Sequence, residues 1–305
     1  MLSMEDSSRN GSIRTRETAL ELFTLTHRTI IGEMNLNSTL AYEIFMLDPV
    51  LVTGSVGGMG LALIQTILEL GADVVAIDRV KRAEGEAWGR LQGVAKSNAC
   101  NLTYFQSDIS SFENTLNVFQ SAISQARYPL RGLVHCAAIG WVGDSLNFSV
   151  KDARQIIDVN LVGTLIVAQV GARLVQEQQK AMTVPTQASF VFIASMSGYV
   201  VNKGTPNAAY AASKAGVQQL ARNLASEWGP SIRVNTISPG VIRTPMTNGI
   251  LESKRELCEL WTRETMLGRL SEPQDYQGPA AFLLSDSSAY VTVADLLVDA
   301  GYTAW

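Results

Sequence analysis

The stretch VLVTGSVGGMGLALIQTILELG (residues 50–71) decides the reading of this chain. VLVT is a short apolar run that ends at Gly54, and from Met59 the apolar positions recur at helical period until Gly71 stops them. The pattern is a strand, a glycine turn and a helix. Glycine lets the chain turn tightly, and it lets backbone N–H groups approach a diphosphate at the helix N-terminus. The spacing Gly54-x-x-x-Gly58-x-Gly60 differs from the G-x-G-x-x-G of the commoner dinucleotide fold, and alone it also fits an ordinary glycine turn.

Outward from this unit the same alternation repeats. DVVAID (73–78) reads as a strand, followed by a polar helical stretch to about Ala95, then LTYFQSD (102–108). A helix near 111–126 leads to the strand GLVHCAA (132–138), and one long amphipathic helix is expected over 152–179. SFVFIAS (189–195) reads as a buried strand, the segment from Asn207 to about Trp228 as a helix, and IRVNTIS (232–238) as a strand. A helical region over 246–267 and a helix near 273–284 precede ADLLVDAG (294–301). Such alternation predicts an α/β fold, a Rossmann-type doubly wound parallel sheet, in a single domain over 50–305. Residues 1–49 read as an N-terminal extension with a disordered start, a strand-like THRTII (26–31), and a helix or an insertion over 32–49.

Composition narrows the function. The 305 residues are 47% hydrophobic and 17% charged with a net charge of −4, so no basic block predicts nucleic acid or an anionic membrane as partner. The first residues lack the apolar core of a signal peptide. Three cysteines in no C-x-x-C pair argue against a disulfide framework and fit a reducing, cytoplasmic setting. Two distant histidines, His27 and His135, predict neither a metal site nor a Ser-His-Asp triad.

Several polar residues stand where chemistry could use them. Asp78 closes the second strand, where a carboxylate can accept hydrogen bonds from both ribose hydroxyls of an adenosine and would repel a 2′-phosphate. It favours NAD over NADP, although Arg79 beside it could contact a phosphate. Asp78 and Asp108 could each equally be a strand-end turn residue, and Asp108 could otherwise meet the adenine ring. In NAAYAASKAGV (207–217), Tyr210 and Lys214 share one face of an otherwise nearly bare helix. A free tyrosine titrates near ~10. An ammonium one turn away is expected to favour the phenolate, so that Tyr210 can exchange a proton with an alcohol or carbonyl oxygen. A hydroxyl at Ser195 or Ser197 could hold the substrate oxygen. Asn160, a poor helix former within a helix, predicts a water or backbone contact that links Lys214 to solvent.

As a set, TGSVGGMG, Asp78, Asp108, Asn160, the serine, YAASK and SPGVIRTPM (238–246) resemble the short-chain dehydrogenase/reductase family from Val50 onward. The resemblance implies a parallel sheet of about seven strands and hydride transfer with NAD or NADP. It implies a catalytic set of Asn160, Ser195, Tyr210 and Lys214, and cofactor contacts from Gly54, Gly58, Met59, Gly60, Asp78, Asp108, Ile242 and Thr244. Asn160, Tyr210 and Lys214 would serve the cofactor as well. The ending DLLVDAGYTAW is similar to fungal-type members acting on polyols, ketoses and secondary ketones. Members of this family pair helices between subunits, which implies a homodimer or homotetramer.

Two departures stand out. His135-Cys136-Ala137-Ala138 replaces the family's N-N-A-G after the fourth strand, which leaves cofactor affinity open. Family members often run a pattern like F-x-L-x-x-R directly into V-T-G, whereas here about 20 extra residues separate Phe23-Thr-Leu-Thr-His-Arg28 from Val52, consistent with an insertion. Two readings of the serine remain: the spacing to Tyr210 favours Ser197, and the strand-end position favours Ser195, the one adopted. The leading function is an oxidoreductase on a secondary alcohol or ketone, with 246–267 roofing the substrate pocket. A cofactor-binding sensor or structural protein without turnover is the alternative. A methyltransferase of related fold ranks last, since it has no use for the Tyr210–Lys214 pair.

Overall fold

Alternation of inward-facing side chains along each strand builds two hydrophobic layers, one on either face of a single sheet. Val50 and Val52 of β1 (Val50–Thr53) pack on one side, and Leu51 between them packs on the other. A computed structural model of the chain describes residues 49–305. The expected extension over 1–49, the THRTII strand and the possible insertion over 32–49 lie outside the described residues, except for Pro49.

The glycine turn after β1 leads into α1 (Gly58–Glu69), then β2 (Val74–Asp78), α2 (Glu86–Ser97), β3 (Leu102–Gln106) and α3 (Phe112–Ser124). After β4 (Gly132–His135), α4 (Val150–Ile157) and α5 (Gly163–Lys180) lead to β5 (Ala188–Ile193). Then come α6 (Ala208–Trp228), β6 (Ile232–Pro239), α7 (Pro245–Ser253), α8 (Arg255–Glu264), α9 (Gln277–Leu284) and β7 (Asp295–Val298). The seven strands are all parallel, in the order β3-β2-β1-β4-β5-β6-β7. The chain therefore reverses its direction of travel across the sheet between β1 and β4, which opens a crevice beyond the C-terminal ends of those strands.

One layer joins Leu63, Ile64 and Ile67 of α1, Trp88 and Leu91 of α2, and Ala280 and Leu283 of α9. The other joins Phe119 of α3, Val167 and Leu174 of α5, and Val217 and Leu224 of α6. The helical stretch 150–180 is long and apolar enough to cross a membrane by length and composition. Its apolar positions Val167, Val170, Leu174 and Val175 are buried against the sheet, which accounts for that composition.

Local differences from expectation have physical reasons. The helix expected over 152–179 contains a π-helical turn at Asp158–Val162, which carries the buried Asn160. The extra residue in that turn coincides with three side-chain hydrogen bonds of Asn160 to groups outside the helix. The region 246–267 is two helices, interrupted at Lys254, whose backbone leaves the helical range (φ −127°, ψ 72°). Strands β4 and β5 stop at His135 and Ile193, before the polar and small residues that face the crevice.

Candidate active site

The crevice at the strand ends is a cleft of about 1240 Å³. Every site residue predicted from the sequence lines it except Asn160, which sits behind the wall.

At one end the glycine turn requires its glycines. Gly54 has φ +66°, and a Cβ there would stand 2.6 Å from Ala137 N. A Cβ on Gly60 would stand 2.2 Å from Gly54 O. Helix α1 starts from Gly57, which supplies no side-chain cap, so its first N–H groups face the cleft unpaired by a cap. Met59 is buried into the α1 layer while lining the cleft. Thr244 closes over the turn: a Cβ on Gly58 would meet its Cγ2 at 3.2 Å. Ile242 is fixed beside it by a parallel bridge to Ser271.

Asp78 binds the glycine turn to the end of β2. Its Oδ2 accepts from Val56 N at 3.2 Å, and its Oδ1 accepts from Arg79 N at 2.7 Å. Asp108 makes a turn, its Oδ1 accepting from Ser110 N at 3.0 Å and Ser110 Oγ at 2.7 Å, while still lining the cleft. An open helix N-terminus, glycines where any Cβ would collide, and a carboxylate at the end of β2 together fit a dinucleotide's diphosphate and adenosine ribose.

At the other end stand Tyr210, Lys214 and Ser195. Lys214 is buried, and its Nζ donates to Ile193 O at 2.7 Å. That Nζ lies 5.8 Å from the centroid of the Tyr210 ring. Ser195 leaves β5 in extended conformation, and its Oγ accepts from Ser197 N at 3.1 Å. Burial pushes the Tyr210 phenol up, and its hydrogen bond with Ser195 pulls it back. Burial lowers Lys214 to about 8, against a smaller upward pull from Cys136. Lys214 donates to the Ile193 carbonyl in this geometry, and a hydrogen bond with Ser195 is the influence that lowers the Tyr210 phenol against burial.

Ser197 stands one hydrogen bond further away. Its Oγ accepts from Ser195 Oγ at 3.1 Å and from Asn202 Nδ2 at 2.8 Å. Asn160 is spent on backbone and on α6. Its Oδ1 accepts from Ile139 N and its Nδ2 donates to Ile139 O, both at 2.8 Å. The same Nδ2 donates to Ser213 Oγ at 3.0 Å, and Ser213 Oγ donates to Tyr210 O at 2.7 Å. The expected backbone contact is present, and its effect is to fix the start of α6 against the loop after β4.

The segment that replaces N-N-A-G ties β4 to β1, while its His135 Nε2 is buried without a hydrogen-bond partner among the described residues. His135 Nδ1 and Thr53 Oγ1 are 2.7 Å apart, and Cys136 N donates to Thr53 O at 3.1 Å, which keeps β1 and β4 in register. Cys136 lines the cleft, and burial pushes its thiol up to about 12 while Lys214 pulls it down. The sequence reading missed Trp141, Asn202 and Thr205, which also line the cleft. For the last two, the only signal was their place between Ser195 and Tyr210.

Known proteins share this sequence and fold. The sequence profile of the family described as enoyl-(acyl carrier protein) reductase matches residues 54–303. A short-chain dehydrogenase/reductase of Aspergillus versicolor is 40% identical over 270 residues, covering 86% of this chain and 90% of the relative. The NADH-dependent L-xylulose reductase of Ambrosiozyma monospora is 37% identical over 271 residues, covering 84% and 94%. The crystal structure of an NADPH-dependent 3-quinuclidinone reductase from Rhodotorula rubra superposes with a TM-score of 0.76 at 27% identity, covering 88% of this chain and 96% of that one.

Proposed function

The chain belongs to the short-chain dehydrogenase/reductase family and is an NAD(P)-dependent oxidoreductase acting on CH–OH groups, and from that premise we infer how its residues divide the work. The bound nicotinamide would give or take the hydride. Tyr210 exchanges the proton with the substrate oxygen, a contribution of roughly 10²–10⁴-fold. Ser195 holds that oxygen by hydrogen bonding. Lys214 supports the phenol's surroundings from beneath and is placed to hold a cofactor ribose, and Asn160 positions α6. The glycine turn with Met59 takes the diphosphate, Asp78 and Asp108 the adenosine, and Ile242 and Thr244 the nicotinamide side.

The observation that carries this reading is the placement of Tyr210, Ser195 and Lys214 in one cleft whose other end is the open N-terminus of α1. Asp78 favours NAD over NADP, because a carboxylate there repels a 2′-phosphate. Substrates are secondary alcohols or ketones of polyol, ketose or related type, in line with the related L-xylulose reductase. We further infer a homodimer or homotetramer joined through α5 and α6, where Leu165 of α5 is exposed beside the core-facing residues, in a reducing, cytoplasmic setting that suits three free cysteines.

The test is to mix purified protein with NADH or NADPH and a panel of ketones and ketoses. Oxidation of the reduced nicotinamide with any ketone supports the reading. Tight cofactor binding with no turnover across the panel returns the sensor alternative.

A further inference from the structure

The wall of the cleft includes polar side chains that the reaction described above leaves unused. Asn202 and Thr205 lie on the segment between Ser195 and Tyr210, and both line the cleft. Thr205 is only 6% exposed. Its Oγ1 and the Oδ1 of Asn202 are buried and meet no hydrogen-bonding partner among the described residues. Buried polar atoms of this kind cost free energy unless a ligand or solvent completes them.

The segment is clamped on three sides. Trp261 Nε1 of α8 donates to Lys203 O at 3.0 Å, and Lys203 N donates to Tyr302 Oη at 3.2 Å. Gly143 N, from the loop after β4, donates to Pro206 O at 2.9 Å. Thr205 N closes the turn on Asn202 O at 3.1 Å. The two unpaired atoms are therefore held in place before anything binds.

Their chemistry is selective. The Asn202 amide nitrogen already donates to Ser197 Oγ at 2.8 Å, so its oxygen offers only an acceptor. Ser197 Oγ in turn receives Ser195 Oγ at 3.1 Å, which puts Asn202 two hydrogen bonds from the serine that holds the reacting oxygen. Thr205 can donate or accept. An acceptor beside a donor–acceptor suits an O–H group, whereas a hydrocarbon would leave both atoms unpaired and a carboxylate would face the Asn202 oxygen. The one cation in the turn, Lys203, is paired with Glu264 at 2.6 Å.

We propose that Asn202 and Thr205 form a hydroxyl-binding subsite that selects substrates carrying a hydroxyl on the carbon next to the reacting one. The substrate class is thus a polyol or hydroxyketone rather than a simple ketone. This rests on Tyr210 and Ser195 marking the reacting end.

The experiment compares 1-hydroxy-2-butanone with 2-butanone in the wild type, Thr205→Val, Thr205→Ser and Asn202→Ala, with NADH affinity measured for each by fluorescence. The wild type should prefer the hydroxyketone. Thr205→Val should cut that preference roughly 10-fold through KM, with 2-butanone and NADH affinity unchanged, and Thr205→Ser should restore it. Asn202→Ala should lower the preference as well, and it carries the test if Thr205→Val fails to fold. Calorimetry of 2,3-butanediol on the NAD-loaded protein should show the same loss of affinity. Equal preference in wild type and variants, or none in the wild type while both ketones turn over, overturns the subsite alone. Turnover of neither ketone with NADH bound overturns the assignment of the reacting end, and the subsite with it.

Discussion

Ser195 and Ser197 share a hydroxyl–hydroxyl hydrogen bond of 3.1 Å, yet only Ser195 also acts on the Tyr210 phenol. Two serines that sequence spacing leaves equivalent are thus separated by geometry. Ser197 is spent on Asn202 and on supporting its neighbour. Ser195→Ala should lower kcat about 10²-fold, because it removes the cleft-lining hydroxyl assigned to hold the substrate oxygen. Ser197→Ala should cost less than about 10-fold, the scale of one supporting hydrogen bond. Steady-state kinetics of both variants, at saturating cofactor, checks the order. A larger loss at Ser197 would exchange the two roles.

Asp78 does two jobs in this geometry, and the prediction follows from both. Its carboxylate faces the cleft and also accepts from Val56 N in the glycine turn. Asp78→Ser should relax the preference for NADH over NADPH by roughly 10-fold or more, the scale of removing a like-charge contact. It should also weaken NADH itself, since the tie to the turn is lost. Titration of both reduced cofactors into the wild type and the variant measures the ratio. A wild type that binds NADPH more tightly would contradict the role given to Asp78.

His135 makes acid stability a further check. Burial, and secondarily Lys214, lowers its pKa from 6.5 to about 3. The unfolded chain takes up this proton below pH 6.5, while the native protein resists it until about pH 3. The stability is therefore fully present above pH 6.5 and is lost as pH falls toward 3. Between pH 6.5 and pH 5 the loss from this residue is roughly 2 kcal/mol. His135→Asn should flatten that part of the curve in urea denaturation, whatever its effect at neutral pH. An unchanged slope would mean that His135 is already charged in the native protein.

What could be read from the sequence was set by short-range physics. The run VLVT into Gly54 and the period of α1 fix a strand, a turn and a helix from neighbouring residues alone, and four-residue spacing forces Tyr210 and Lys214 onto one face. The direction of Lys214 was not legible, because its partner is the Ile193 carbonyl on another strand. Asn160 was legible as an oddity within a helix. Its contacts with Ile139 and Ser213, and the π-helical turn that carries it, depend on packing of the β4 loop against α6. Asn202 and Thr205 gave no signal beyond their place between Ser195 and Tyr210, since the clamp from Trp261 and Tyr302 is what turns a polar loop into cleft wall. The break at Lys254 was likewise hidden, as residues 246–267 keep a helical pattern across it.

Tyr210 moves the proton in a cleft whose hold on the cofactor does not rest on the phenol hydroxyl. The most direct measurement pairs NADH binding with the single-turnover rate of ketone reduction in the wild type and Tyr210→Phe. The phenylalanine variant keeps the ring and loses only the hydroxyl. Its NADH affinity should stay within a few-fold, while its reduction rate should fall by about 10³-fold or more. A variant that reduces the ketone at close to the wild-type rate would contradict the account.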